Sequence, residues 1–190
     1  MPEANTTALD FLKTRRSRPA KTLVAPGPSR TELEALLTLA ARTPDHGKLE
    51  PWRFVVIEGE AMAALSGAAG QIAEQLGYDA EKTAKARSQF DQGICAVAVI
   101  ESPVLSEKIP AIEQTYSAGA VCLALLNAAL ASGWGANWLS GAISHERLFA
   151  ESAMGLTPHE RIAGFIHIAT ETHTPPDRPR PDIKAKTTWL

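Results

Sequence analysis

The chain has little cysteine, few aromatic residues, no strong excess of charge of either sign and no long uninterrupted hydrophobic run. Two cysteines and 6% aromatics occur among 190 residues. Two thiols do not make a disulfide framework; Cys95, inside ICAVAVI, and Cys122, inside an alanine-rich stretch, read as small core residues. A formal net charge of -2 gives no field that would draw the chain to nucleic acid or an anionic membrane. The most apolar segment, AGAVCLALLNAALASGW, is interrupted by Asn127 and reads as a helix buried in protein rather than a membrane span. The N-terminal MPEANTTALDFLKTRRS places its basic residues after a weakly apolar stretch and has no signal-peptide core, so a cytoplasmic location is expected.

Several chemical signatures are missing as well. Neither G-x-G-x-x-G nor G-x-x-x-x-G-K-[ST] occurs, which removes the main support for a doubly wound nucleotide-binding sheet. The histidines at 46, 145, 159, 167 and 173 form no H-E-x-x-H, and no cysteine pair has zinc spacing, so no metal is expected. His167 reads as a residue of the core or a sheet face. Gly141 precedes no G-x-S-x-G elbow, and hydrolase readings have little to stand on.

What is present is the balance of one globular domain, 45% hydrophobic and 21% charged. Residues 5–14 place Leu9 and Leu12 on one helix face. Ser29-Arg30-Thr31-Glu32 is a capping box opening a helix with Leu33, Leu36, Leu37 and Ala40 at helical spacing, which ends before Pro44. RFVVIEG at 53–59 predicts a strand and 60–76 a helix. ICAVAVIES at 94–102 predicts a second strand, and 112–132 a long helix closed by Gly133. GANWLSG is the third strand, Ser144 is expected to cap a short helix ending near Gly155, and RIAGFIHIATE at 161–171 is the fourth strand. The segment 172–190 carries four prolines, at 175, 176, 179 and 181, and is expected to be extended.

A cluster of basic residues, Arg15, Arg16, Arg18 and Lys21 with Ser17 among them, follows the first helix. Cations compensate the dipole at a helix C-terminus, and guanidinium groups with a hydroxyl also make a phosphate clamp; residues 15–18 alone fit both readings.

The motifs in order are more specific. RRS after the first helix, P-x-x-x-x-L-x-P-W at 44–52, a long alanine-rich helix followed by G-x-G-x-x-W-x-S-G at 133–141, and a Pro/Arg-rich tail resemble the FMN-dependent nitroreductase family over essentially the whole chain. The resemblance is nearest to its compact bacterial NAD(P)H nitroreductase branch. It implies an α+β fold with a mainly antiparallel sheet flanked by helices, one domain over 1–190, and an interlocked homodimer whose interface holds two FMN molecules, with 172–190 embracing the partner. Arg15, Arg16 and Ser17 would hold the FMN phosphate and polar chain. Trp138, Leu139 and Ser140 would line the isoalloxazine and offer backbone amides near N5. Arg42 and His46 would reach the partner subunit's FMN, and Pro51-Trp52 would anchor the following strand.

Where larger members carry small polar residues, this chain has Asp45-His46-Gly47-Lys48, which implies a narrower pocket. Lys21 is a candidate cation for the negative charge that a reduced flavin carries near N1 and O2. No catalytic acid or base is implied, because hydride arrives at and leaves from N5. The implied reaction passes electrons from NAD(P)H to a nitroaromatic, quinone or similar acceptor in two steps. Enone reduction or reductive dehalogenation on the same scaffold, and a non-catalytic FMN sensor or carrier, are the alternatives. The roles of Arg178 and Arg180, and the choice between NADH and NADPH, stay open.

Overall fold

The computed structural model describes residues 3–190; Met1 and Pro2 of the N-terminal stretch lie outside the described residues. Its centre is the strand the sequence marks most strongly, Cys95–Glu101 (β3), in which all seven residues are buried. A strand covered on both faces needs apolar side chains at every position, so its residues do not alternate with polar ones. Cys95, Val97 and Val99 face one cluster; Ala96, Ala98 and Ile100 face another.

All strand pairings are antiparallel. Trp52–Glu58 (β2) pairs with β3, β3 with Arg161–Glu171 (β5), and β5 with Gly135–Leu139 (β4). A two-residue strand, Leu23–Val24 (β1), pairs with the end of β5 at Thr170 and Glu171. Between Val99 and Ile100 the β3–β5 register shifts, leaving Ala163 as a bulge next to Gly164.

Helices cover both faces. Arg30–Ala40 (α2) and Ala111–Ala131 (α5) bury Leu33, Leu36, Val121, Leu125 and Ala129 on one side. Glu60–Gln75 (α3) and Ala80–Asp91 (α4) bury Met62, Leu65, Ile72 and Phe90 on the other. Truncating a fully buried leucine such as Leu36 to alanine should cost about 2–5 kcal/mol. The capping box is formed: Ser29 Oγ accepts from Glu32 N–H, and Glu32 accepts from the Ser29 amide at 2.8 Å. At the end of α5, Gly133 takes φ +88° and the Trp134 amide returns to the Ala129 carbonyl. The helix α5 passes by length and composition as a membrane span, yet its inner side is packed on the sheet. Cys95 and Cys122 are free and buried, and burial pushes both thiols up to about 12.

Four features differ from the sequence reading. The helix α4 was not marked by periodicity, because its buried positions are Thr83, Ala86, Gln89 and Phe90, with one large apolar side chain among them. Its start has a local signal, Asp79, whose side chain accepts from the Lys82 amide at 2.8 Å. The two-residue β1 is too short to show a period.

Ser144 does not cap a helix. It is buried inside a 3-10 turn, Ala142–His145, and a π-type turn at Phe149–Ala153 follows. The extended backbone at Glu146 separates the two turns, and Ser144 Oγ lies 3.5 Å from Gln89 Oε1 rather than on an orphan amide. Finally, Thr6–Thr14 (α1) forms as predicted but buries none of its residues, so Leu9 and Leu12 remain exposed.

Candidate functional site

The basic segment leaves α1 and is fastened to the sheet before it turns. The Arg18 amide donates to the Ala136 carbonyl of β4 at 2.8 Å, its guanidinium pairs with Glu171 at the end of β5, and its Nη1 donates to the Arg16 carbonyl at 2.6 Å. Arg18 is therefore spent on holding the loop. Arg15, Arg16 and Ser17 are brought together around a pocket of about 560 Å3, also lined by Leu12, Arg178, Pro179, Arg180 and Pro181. Arg15 Nη2 donates to Ser17 Oγ at 3.1 Å, while Arg15 Nε is buried without a partner. Burial first, and then the charges of Arg16, Arg180 and Arg18, draw the Arg15 pKa below its usual value. Four guanidinium groups and a hydroxyl around one pocket, with a buried donor unmet, fit a phosphate group.

The tail supplies half of those arginines. Arg16 Nε donates to the Pro176 carbonyl at 3.4 Å, and Arg180 Nη2 to the Lys13 carbonyl at 3.2 Å, so the proline-rich segment folds back over the end of α1 of its own chain. The spacing R-P-R at 178–180 was the available signal in the sequence, but only the fold brings it within reach of residues 15–17.

Trp138, Leu139 and Ser140 lie at the end of β4, on the strand to which the clamp is tied. Trp138 rests over Gly164: a β-carbon there would stand 1.9 Å from the indole Nε1, so only glycine leaves room for this ring position. Ser140 and Gly141 open on a cavity of about 530 Å3 lined by Tyr78, Lys82, Lys85, Ala86, Gln89, Ala142 and Ile143. A smaller cavity of about 260 Å3 beside it holds Lys21, Ser88, Gln92 and His167, and Gln89 borders both. Lys21, left open by the sequence, thus borders a cavity that shares Gln89 with the one at Ser140 and Gly141. A β-carbon at Gly93, just past α4, would stand 3.3 Å from His167 Cε1, and burial pushes His167 down to about 4.

Arg42 and His46 are placed apart from the clamp and share no hydrogen bond with it among the described residues. His46 Nδ1 lies 2.7 Å from Glu113 Oε2 at the start of α5, and Arg42 is exposed just beyond α2. The loop between them is tightly specified. Asp45 Oδ1 accepts from the Leu49 amide at 2.6 Å; Trp52 Nε1 donates to Ser117 Oγ at 3.2 Å, which donates to the Pro44 carbonyl at 3.1 Å. Gly47, Lys48 and Glu50 all take left-handed φ, at 75°, 54° and 48°. Two non-glycine residues in that region store strain that the anchors on α5 hold in place. The mixture of charges beside Trp52 is thus a fastened, exposed loop, with Trp52 anchoring β2 as expected.

Comparison with known proteins identifies the family and the fold. A profile described as "Nitroreductase family" matches residues 12–170. The chain is 34% identical over 180 residues, 95% of its length and 91% of the relative's, to "Putative NAD(P)H nitroreductase YdjA" of Escherichia coli strain K12. The fold superposes on a nitroreductase-like family protein from Bacillus cereus with TM-score 0.82, 24% identity and coverage of 100% and 99% of the two chains. A nitroreductase-type protein from Exiguobacterium sibiricum, solved in complex with FMN, matches with TM-score 0.73, 18% identity and 100% coverage of both chains; at that identity it speaks for the fold. On the profile match over residues 12–170 and the 34% identity across almost the whole chain, the chain belongs to the nitroreductase family of oxidoreductases.

Proposed function

We propose that the protein is an FMN-dependent oxidoreductase that passes electrons from NAD(P)H to a nitroaromatic, quinone or similar acceptor. The observation that carries this reading is the convergence of Arg15, Arg16, Arg178 and Arg180 with Ser17 around one pocket, together with a buried Arg15 Nε that has no partner. An FMN phosphate would satisfy that donor and relieve the mutual repulsion of the four cations. FMN, when bound, supplies hydride exchange at N5, used in turn by reductant and acceptor. Trp138, Leu139 and Ser140 line the ring, and the ammonium groups of Lys21 and Lys85, in the adjoining cavities, favour negative charge at its polar edge. No side chain is required to carry a proton to N5.

The working unit in this reading is a homodimer. Its support is the apolar surface left uncovered on one chain: Ile112, Tyr116 and Leu123 along α5, with Leu9 and Leu12 on α1. Arg42 and His46, held away from this chain's clamp, then serve the partner's flavin, and the Glu113 contact fixes the His46 ring.

The test is the absorption spectrum of the purified protein followed by anaerobic addition of NADH or NADPH. A flavin spectrum that bleaches with a nicotinamide and returns with a quinone or nitroaromatic is expected. Bound flavin without turnover would mean a carrier, and failure to bind FMN would reject the reading.

A further inference from the structure

Gln89 forms the wall between the two cavities beside the β4 tip, and its side chain covers a main-chain donor. It is 8% exposed on the inner side of α4; its Oε1 accepts from the Gly141 amide at 3.2 Å and lies 3.5 Å from Ser144 Oγ. Gly141 makes this approach possible, since a β-carbon there would stand 2.2 Å from Gln89 Nε2. Any group that reaches the Gly141 N–H from the cavity must displace this carboxamide.

A second partner borders the space into which the carboxamide would turn. His167 is 2% exposed, opens on the same 260 Å3 cavity as Gln89, and has its Nε2 buried with no hydrogen bond. A carboxamide carries both donor and acceptor, so it can serve either tautomer of the imidazole. Without such a partner a displaced Gln89 would be buried unpaired, at a cost comparable to the bond it lost.

We propose that Gln89 is a positioning residue of the flavin-ring site: it holds the Gly141 amide until the acceptor-rich edge of the ring takes that donor, then turns to His167 and joins the two cavities into one slot. The inference rests on the FMN reading above. Its specific content is an exchange of partners, Gly141 for His167, in which the carboxamide and the imidazole nitrogen each gain a partner as the Gly141 amide is taken by the ring.

The experiment is a double-mutant cycle read by flavin fluorescence as FMN is titrated and stopped-flow mixed with the full chain. Gln89→Ala removes the competitor and should tighten and speed FMN binding by about three- to tenfold. His167→Phe removes the second partner and should weaken binding by about the same factor, but only when Gln89 is present. Weaker binding by Gln89→Ala, or an equal effect of His167→Phe in both backgrounds, overturns the proposal. A readout on the unaltered protein covers variants that do not fold: in 15N spectra, FMN should move the Gly141 amide, the Gln89 side-chain NH2 and the His167 ring nitrogens together. A shifted Gly141 with Gln89 and His167 unmoved also overturns it. Absence of FMN binding by the unaltered protein instead rejects the FMN reading, and this inference with it.

Discussion

Arg15 gives one guanidinium nitrogen to Ser17 Oγ at 3.1 Å and keeps another, Nε, buried with nothing to bond. In the proposed site Ser17 would fix the guanidinium, and a phosphate drawing Arg15 toward it would meet the donor that is unpaired in this structure.

Arg15→Ala should therefore weaken FMN far more than riboflavin, which has no phosphate. A charge-assisted hydrogen bond is worth about 1.5–3 kcal/mol, roughly a 10- to 150-fold loss for FMN. Fluorescence titration with both flavins checks this, and equal losses would move the phosphate elsewhere. Arg180→Ala should show the same selectivity, because the tail lines the same pocket.

Gly164→Ala tests the ring-lining stretch from behind. Its methyl group would meet the Trp138 indole, so that ring must leave its place while the strand pairing of β4 with β5 persists. Lower FMN affinity with an altered tryptophan emission and unchanged far-ultraviolet dichroism is expected. Unaltered affinity would remove Trp138 from the flavin site.

Mixing Arg15→Ala and His46→Ala subunits tests the intersubunit site. If the two residues come from different chains, each heterodimer has one doubly damaged site and one intact site. Activity of the mixture should exceed that of both parents, and a mixture no better than either would mean that one chain supplies both residues to its own site or that His46 is dispensable. His46→Ala alone should leave the dimer intact, since one exposed residue rarely holds an interface.

Acid should destabilise the fold through His167, whose pKa is pushed from 6.5 down to about 4 by burial. Between those values the unfolded chain takes up a proton that the folded chain refuses. The contribution is therefore complete above about pH 6.5 and lost as pH falls toward 4, on the order of 3 kcal/mol in all. Glu160, held near 2 by its hydrogen bond with Arg53, loses its contribution only at lower pH. Urea midpoints at about pH 7.5 and pH 4.5 should differ strongly for the natural protein and less for His167→Phe.

Deleting residues 185–190 tests the tail. Trp189 is 91% exposed on a single chain, and burying one such side chain on a partner is worth about 1.5–3 kcal/mol. The shortened protein should dimerise more weakly and lose FMN on dilution, read by light scattering and flavin fluorescence. Unchanged mass and flavin content would make the tail a passive end.

The sequence by itself determined the elements whose chemistry is local. The Ser29/Glu32 box, the β3 run and the α5 stop at Gly133 are each written in a few adjacent side chains, and each forms as read. It did not determine α4, whose inner side carries Thr83, Ala86 and Gln89 where a periodic stripe would need larger apolar groups, nor the path of 142–153, where Ser144 serves Gln89 across 55 residues of chain. The site divides in the same way. Arg15 and Ser17 are neighbours in sequence, but Arg180 reaches them only because the tail doubles back to bond Lys13, and His167 shares a cavity with Lys21 and Gln89 only because β5 lies beneath α4. Capping and periodicity act over a few residues and can be read along the chain; a pocket is a meeting of distant segments, and the packing of helices on the sheet decides which segments meet.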